Sequence, residues 1–462
     1  MSPATPEPSI PSIDSKSSRT WHVGTLTYTT GGLVVLFLWL LWGDFAWIMK
    51  ERSAPPIAQI LLKRFNASDT LIGILVGSIP AALGFILGPI VSVMSDNHRS
   101  RWGRRIPFLL IPTPIATLSI FGLAFSPKLG TLLHEWLGAS SPGLNVSVIL
   151  VFIFFWSTFE VASIIANSIL GGLINDVVPQ EVIGRFFGFF RAVSLGAGIL
   201  FNYSLMGHVE EYYNWILISI GLLYGIGFTL TCLNVKEGEY PPPPPRQGFS
   251  PLRASKRYVR ECFSNPFYRW IFAANTLAML AFGPVNTFSI FYAKSVGMDM
   301  DRYGKCLALS FAISLMLSFF LGWLADKFHP VRLGLVSIAG YMLLSAWASF
   351  FSNTPDTFAF ALVAHTVLSG IYLTATASIG QRLFPKLSFA QFASAAGLIN
   401  GLFFATLPPL VGMALDLTGN IYRHTFFYGG ILAAFSLVSF IILNRRFMRL
   451  GGPSGYVPPP VH

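Results

Sequence analysis

Seven ionisable residues interrupt the long apolar runs of this 462-residue chain: Asp44, Lys50, Glu51 and Arg52 in the first run, Glu160 in the fourth, Arg191 in the fifth and His365 in the tenth. An ionisable side chain at bilayer depth costs about 2.5–3.5 kcal/mol even on the lenient insertion scale, so each points to work done there. Glu160 is the sharpest case, with 14 residues of its run before it and 13 after it. A carboxylate at mid-membrane is neutral or paired, and its state follows hydration and nearby cations, which are the requirements for a proton carrier. The other reading is a permanent salt bridge with Arg191 or Arg52. Arg191 could instead hold Glu160 or Asp44 ionised between turnovers. Asn167 falls seven residues after Glu160 on the same helical face and can donate to a substrate hydroxyl.

The first run is unusual, because Gly43-Asp44-Phe45-Ala46-Trp47-Ile48-Met49-Lys50-Glu51-Arg52 leads into Pro55-Pro56 before the apolar pattern resumes. Asp44, Ile48, Glu51 and Pro55 share one face at helical spacing, which would aim both carboxylates at one cavity, with a kink at the prolines. The competing reading ends the run at Met49 and puts Lys50-Glu51-Arg52 in an outer loop. Trp39, Trp42, Trp47 and Trp156 offer flat faces for sugar rings, and His365 is either a binding group or a satisfied packing residue. No nucleophile constellation, phosphate loop or metal-ligand cluster stands out, so no catalytic residue, metal site or organic cofactor is expected. Cys232, Cys262 and Cys306 show neither paired nor metal-like spacing.

A second chemical signal lies between the second and third runs, in Ser95-Asp96-Asn97-His98-Arg99-Ser100-Arg101-Trp102-Gly103-Arg104-Arg105-Ile106-Pro107-Phe108. Arginines here can bind carboxylates or helix C-terminal carbonyls in one conformation and release them in another, as a gate loop does. The simpler reading is a positive-inside anchor. Asp326, in Gly322-Trp323-Leu324-Ala325-Asp326-Lys327, follows the second run of the second half, 230 residues after Asp96.

The elements that must position these groups follow from composition. With 53% hydrophobic residues, 11% charged residues and 42 Phe, the chain is no ordinary soluble domain, whose charged fraction is about 25%. Apolar runs near 20 residues give spans at about 33–64, 70–94, 106–126, 146–173, 184–207 and 214–234, then 268–293, 302–325, 333–352, 357–380, 389–414 and 425–444. The expected fold is an all-α membrane protein with twelve transmembrane helices in two six-helix bundles, 30–234 and 268–444. Around them lie an N-terminal tail at 1–29, a linker at 235–267 and a C-terminal tail at 445–462. The tail at 1–29 is polar, rich in Pro and Ser, and expected to be disordered, with no cleavable signal. The linker carries Pro241 to Pro245 and the cations Arg253, Lys256, Arg257 and Arg260, suited to an anionic membrane face. With both termini cytoplasmic, the outer segments hold only Lys63, Arg64, Lys128, Lys294, Arg302, Lys305 and Arg423 of the 31 cations. The net charge of +11 therefore reports topology and calls for no nucleic acid partner.

The twelve-run plan and the Asp96…Arg99-Ser100-Arg101-Trp102-Gly103-Arg104-Arg105…Pro107-Phe108 motif resemble the major facilitator superfamily. Within it they resemble the sucrose–proton symporters and the glycoside-pentoside-hexuronide:cation symporters. The motif and its echo in the second half together assign the gate to Asp96, Arg99, Arg101, Gly103, Arg104, Arg105 and Asp326. Gly43-Asp44-Phe45 is similar to the Lys-Asp-Phe element of melibiose-type carriers, which implies that Asp44 hydrogen-bonds sugar hydroxyls. Trp156…Glu160-Val161-Ala162 is similar to the Trp-x-x-Asp-Val-Ala segment of plant sucrose carriers, with Glu for Asp and one more residue of spacing, which implies proton coupling at Glu160. Unlike melibiose-type carriers, Leu71 to Met94 holds no acid, so a sodium site of that type is not expected. Asn97 and Ile106 replace arginines common in the motif.

The resulting expectation is a proton-coupled sugar or glycoside symporter in a cell membrane, working by alternating access as a monomer. Its partners would be a small sugar substrate and the lipid bilayer. Coupling is assigned to Glu160 and Arg191, and substrate binding to Asp44, Trp47, Glu51, Arg52, Trp156, Asn167 and His365. The alternatives are a carrier of a charged or amphipathic solute and a non-transporting assembly factor.

Overall fold

The computed structural model describes residues 20–241 and 258–460 of the chain. Twelve long helices carry the fold. The first half holds α1 (Thr30–Arg64), α2 (Asp69–Asn97), α3 (Ile106–Ser140), α4 (Leu144–Val177), α5 (Ile183–Ser204) and α6 (Met206–Asn234). The second holds α7 (Pro266–Ser295), α8 (Met300–Phe328), α9 (Pro330–Phe351), α10 (Pro355–Leu383), α11 (Phe389–Leu417) and α12 (His424–Arg449). Among the described residues eleven of them are both long and apolar enough to cross a membrane. The remaining one, α8, has 29 residues, about 44 Å at 1.5 Å per residue. This is an all-α integral membrane protein.

Local signals explain the helix starts. Ser68, Asn265 and Asp299 accept backbone N–H bonds from Leu71, Phe267 and Arg302, and a reciprocal Thr354/Thr357 capping box opens α10. Proline occupies the first helical position of α7, α9 and α10, where its missing N–H is not needed. The helix of α1 continues through Pro55 and Pro56 to Arg64, so Lys50-Glu51-Arg52 lie within it and not in an outer loop.

The expected N-terminal tail is ordered in its last ten residues. Strands β1 (Thr20–Val23) and β2 (Leu26–Thr29) pair as an antiparallel hairpin with Trp21 opposite Tyr28. Trp21 is buried, and Thr25 Oγ1 accepts the Glu239 N–H at 2.8 Å. Alternating Trp21, Val23, Leu26 and Tyr28 supply the half-buried face that the polar composition of the whole tail concealed. Residues 1–19 lie outside the described residues, as do Pro242 to Pro245, Arg253, Lys256 and Arg257 of the linker. The C-terminal tail returns to the bundle, with Tyr456 Oη donating to the Leu383 carbonyl at 2.7 Å and the Pro459 carbonyl accepting from Tyr268 Oη at 2.8 Å.

Helix ends group on two faces. The far face carries the α1–α2, α5–α6, α7–α8 and α11–α12 connections, and the gate face carries the hairpin, the α2–α3 loop and the α6 exit. One apolar core joins the first half to far-face ends of the second half, including Phe288, Tyr292, Val411 and Tyr422. A separate core around Tyr268, Phe272, Phe384 and Phe392 belongs to the second half toward the gate face. In lipid, apolar burial alone gives helices little reason to associate, so close backbone approach matters. A Cβ on Gly412 would sit 2.3 Å from the Asp69 carbonyl oxygen, and one on Gly304 2.2 Å from that of Asn202. Both contacts join the halves on the far face.

Candidate functional site

The halves enclose a chamber with two lobes that share Glu51 and Asn286 in their walls. The first lobe, about 570 Å³, is lined from the first half by Trp47, Glu51, Glu160, Ser163 and Asn167, and from the second by Asn286, Thr287, Phe404 and Pro408. The second lobe, about 410 Å³, is lined by Glu51, Arg52, Gln59, Arg191 and Asn202, facing Asn286, Tyr303, Phe311, His365 and Thr366. Charge thus enters from the first half and neutral hydrogen-bonding groups from the second.

Under the wall of the first lobe lies Lys50, whose side chain is fully buried. Its ammonium donates to Ser163 Oγ at 2.8 Å, pairs with Glu51 Oε1 at 2.8 Å, and rests 3.7 Å from the Trp47 ring centroid. Tyr224 and Phe159 close the cage at 4.9 and 5.0 Å. Burying an ammonium is tolerable only with such partners, here one carboxylate, one hydroxyl and ring faces. Ser163 stands three residues after Glu160 on α4, so both project from the same helical face toward α1. One lysine therefore serves a site with two carboxylates, and Glu51 holds it in this conformation. Among the described residues no ion pair joins Glu160 to Arg52 or Arg191.

Arg52 lies in the second lobe with its guanidinium 4.9 Å from the Phe311 ring of α8. His365 is buried, with Nε2 3.0 Å from Asn286 Oδ1 and Nδ1 3.0 Å from Tyr341 Oη. With Nε2–H donating to Asn286 Oδ1, the Asn286 amide N–H groups are left for the chamber, while Tyr341 Oη stands between His365 Nδ1 and the Ala281 carbonyl, to which it donates at 3.2 Å. Gln59 crosses between halves, donating to the Thr287 carbonyl at 3.0 Å.

Of the expected binding and coupling residues, Trp47, Glu51, Arg52, Glu160, Asn167, Arg191 and His365 line the chamber. Asp44 is not brought there. Its carboxyl oxygens are buried without a hydrogen-bond partner among the described residues, and it lines neither lobe. Seven residues span about 10.5 Å of helix, and at the level of Asp44 this face of α1 is covered. Trp156 is also withheld, since its ring is fully buried against Phe152 and Phe159 and its indole N–H donates to the Leu75 carbonyl at 2.7 Å. Sequence reasoning missed Lys50 as a partner of Ser163 and missed Asn286 and Gln59. A lysine beside Trp47 and Glu51 was the available signal for the first, while two lone amides in apolar helices carried none.

Among the described residues the gate loop is tied to the first half and to the start of the linker that leaves it. Arg104 grips both oxygens of Asp176 at 3.0 and 2.9 Å, and Arg105 Nε reaches the same carboxylate at 2.5 Å. Arg105 also pairs with Asp96 at 3.2 Å. Glu237, just beyond α6, accepts the backbone N–H groups of Arg104, Arg105 and Ile106 at 3.1, 2.8 and 2.7 Å, capping the start of α3. Gly103 has φ +103°, and a Cβ there would lie 2.5 Å from the Glu237 carboxyl, so both conformation and space require glycine. Arg104 stacks 4.0 Å from the Tyr240 ring, and its pKa is raised: burial opposes the shift, but the bonds and charge of Asp176 outweigh it. Arg99 donates to the carbonyls of Asp96, His98 and Pro241, whereas Arg101 lies exposed 5.8 Å from the Trp102 ring. Asp326 is on the last turn of α8, with its side chain outside the described residues.

The far face is closed across the halves. Asp416 of α11 accepts the N–H groups of Asp69 and Thr70, both at 2.9 Å, and the Thr70 hydroxyl at 2.6 Å, so its carboxylate caps α2. Asp69, fully buried, receives Asn420 Nδ2 at 2.6 Å, Tyr422 Oη at 3.3 Å and Lys63 Nζ at 2.5 Å.

Known proteins share this architecture. A bacterial homologue of the human lysosomal transporter Spinster, in an inward-facing and unoccupied conformation, superposes with a TM-score of 0.63 at 15% identity, covering 91% of this chain and 99% of that one. A D-xylose-proton symporter gives 0.61 at 13% identity over 89% of this chain and 97% of that one. The inward-open xylose transporter XylE from E. coli gives 0.60 at 14% identity, over 89% of this chain and 95% of that one. These likenesses concern the fold. Among curated proteins, a "Putative proline/betaine transporter" of Staphylococcus haemolyticus (strain JCSC1435) is 27% identical over 162 residues, 34% of each chain, so the match spans about a third of that relative's length. The profile of a family described as MFS/sugar transport protein matches residues 65–386. With that match across most of its length and a two-half fold around a central chamber, the chain belongs to the MFS/sugar transport family of the major facilitator superfamily, a family of transporters and not enzymes.

Proposed function

We propose that this secondary transporter moves a sugar or glycoside together with a proton carried on Glu160. The observation that carries the reading is the arrangement of two carboxylates, Glu51 and Glu160, on one chamber lobe whose buried cation, Lys50, is bonded to only one of them. A carboxylate facing a chamber without its own counter-ion is stabilised by a proton more than by solvent that substrate will displace. The amides of Asn167 and Asn286 suit a polyhydroxylated body. Binding of sugar and protonation would favour the same occluded state, so each raises the affinity of the other. The α2–α3 loop is taken as cytoplasmic from the distribution of Lys and Arg, which would put the closed far face on the outer side.

The test is pH-dye uptake into proteoliposomes challenged with sucrose, maltose, melibiose, a pentoside and a sugar acid, with and without sodium. Sugar-triggered proton entry without sodium is expected, and Glu160→Gln should lose uphill accumulation while retaining exchange. Undiminished accumulation against a gradient by that variant would remove the proton role.

A further inference from the structure

Among the described residues Glu51 is the one carboxylate in the walls of both lobes. Its side chain is 41% exposed, whereas that of Lys50, which it holds, is fully buried. The charges that bear on Glu160 are those of Glu51 and Lys50, and the charges that bear on Arg52 are those of Arg191 and Glu51. Glu51 is thus common to the proton site and to the cationic lobe. Two cations face it there, because among the described residues neither Arg52 nor Arg191 has a carboxylate within 4.0 Å. The lysine, for its part, stands where it can change partner. Its ammonium rests on Ser163 Oγ at 2.8 Å, and Ser163 is one turn from Glu160 on the α4 face turned to α1. The ring faces of Trp47, Phe159 and Tyr224 around it attract a cation without fixing one bond direction, so a short displacement keeps them as neighbours.

We propose that Glu51 is a relay between proton and cargo: when Glu160 gives up its proton, Lys50 re-pairs with Glu160, and the released Glu51 swings to Arg52 and Arg191 and closes the second lobe to substrate. This relay rests on Glu160 as the proton carrier and adds the step by which its state is felt at the cargo. The proton leaves to water while Lys50 stays protonated and Glu51 stays ionised, so only the pairing changes. A carboxylate that has lost its lysine at bilayer depth is driven to the two arginines beside it. A sugar seated in the second lobe keeps Glu51 on Lys50 and so keeps the proton on Glu160, which is the sign that symport needs.

The test follows sucrose, maltose and melibiose with the purified full chain. Heat stabilisation reports affinity across pH, and a pH dye in proteoliposomes reports proton entry. In the parent, affinity for the sugar that drives proton entry should fall on the order of tenfold from acid to alkaline bath. Glu51→Gln should bind that sugar as tightly as the parent in acid and on the order of tenfold more tightly than the parent in alkali, with exchange retained and proton entry lost. A gain of affinity is not what a damaged fold or a lost sugar ligand produces. Lys50→Gln should bind weakly at every pH, since nothing then holds Glu51 off the arginines, and adding Glu51→Gln should restore binding. Glu51→Asp should keep part of the pH dependence. Equal pH dependence in the parent and Glu51→Gln, weaker binding by Glu51→Gln in acid, or failure of the second change to rescue a folded Lys50→Gln overturns the relay and leaves the symport reading standing. Glu51→Gln alone decides where Lys50→Gln does not fold. No sugar-driven proton entry by the parent removes the symport reading and the relay with it.

Discussion

The far and gate faces use the same chemistry, carboxylates holding backbone N–H groups at a helix start, to opposite ends. On the far face the carboxylate of Asp416 belongs to one half and the capped helix, α2, to the other. On the gate face Asp176 and its two arginines belong to one half, and Glu237, which caps the α3 start, stands three residues past the end of α6 of that same half. The first arrangement must break when the far face opens. The second can persist as part of a rigid body while the halves rock. A motif rich in charge is thus not by itself a bond between halves, and the Asp416 contact, with the Asn420 and Tyr422 bonds to Asp69 beside it, is poised to act as a latch.

The largest effect should come from breaking that latch. Asp416→Ala leaves two backbone donors and a hydroxyl without their acceptor, at about 1–3 kcal/mol each if they stay buried. A loss of a few kcal/mol shifts a two-state balance by well over tenfold toward the state open at the far face. Spin-label distances across the far face should lengthen in the variant, and labelling of a cysteine placed near Asn420 should speed up. Gly412→Val should act in the same direction through a different cause, because its side chain would meet the Asp69 backbone. Unchanged distances in both variants would show that the contact is not a latch.

The matching change on the gate face should sharpen the contrast. Asp176→Asn removes the charge that Arg104 and Arg105 share and that accepts from Tyr240 Oη at 3.2 Å. With Arg104 partly exposed, solvent takes up much of the loss, so roughly 1–2 kcal/mol of stability is at stake. Melting of the purified protein should fall by a few degrees while spin-label distances between the halves hold steady. Lengthened gate-face distances would mean that the arginine cluster does bear on the second half.

How much of this was legible in sequence depended on the range of each signal. Helices were legible because a span is a local property: the apolar runs at 106–126 and 425–444 sit inside α3 and α12. Glu160 and Arg191 were legible because charge in an apolar run has so few uses. Asp44 shows where the argument fails, since helical phase gives the angle of a residue but not whether the neighbouring helices cover it at that height. The Lys50 cage needs Ser163 from 113 residues away, and the Asp416 latch joins residues 346 apart, so neither has a local signature. The hairpin at Thr20–Thr29 was hidden by the composition of the longer tail around it.

The smallest predicted effect lies at His329, in the α8–α9 connection on the gate face. Its φ is +70°, a conformation in which Asn and His are enriched, and its Nδ1 accepts the Val331 N–H at 3.3 Å to cap α9. Burial, with Arg382 and Arg332 nearby, lowers its pKa to about 4. A protonated ring would lose the acceptor and face those cations, so the folded state prefers neutral imidazole while the unfolded chain protonates near 6.5. Stability from this group is therefore full above pH 6.5 and declines as pH falls toward 4, where the folded form also takes the proton. His329→Asn keeps the left-handed backbone and a capping oxygen but cannot titrate. The drop in melting temperature between pH 7 and pH 5 should be smaller in the variant than in the parent by about a degree or two. An equal drop would place the acid sensitivity elsewhere. Because the cap lies wholly within the second half, far-face spin-label distances should be the same at both pH values, which separates it from the Asp416 latch.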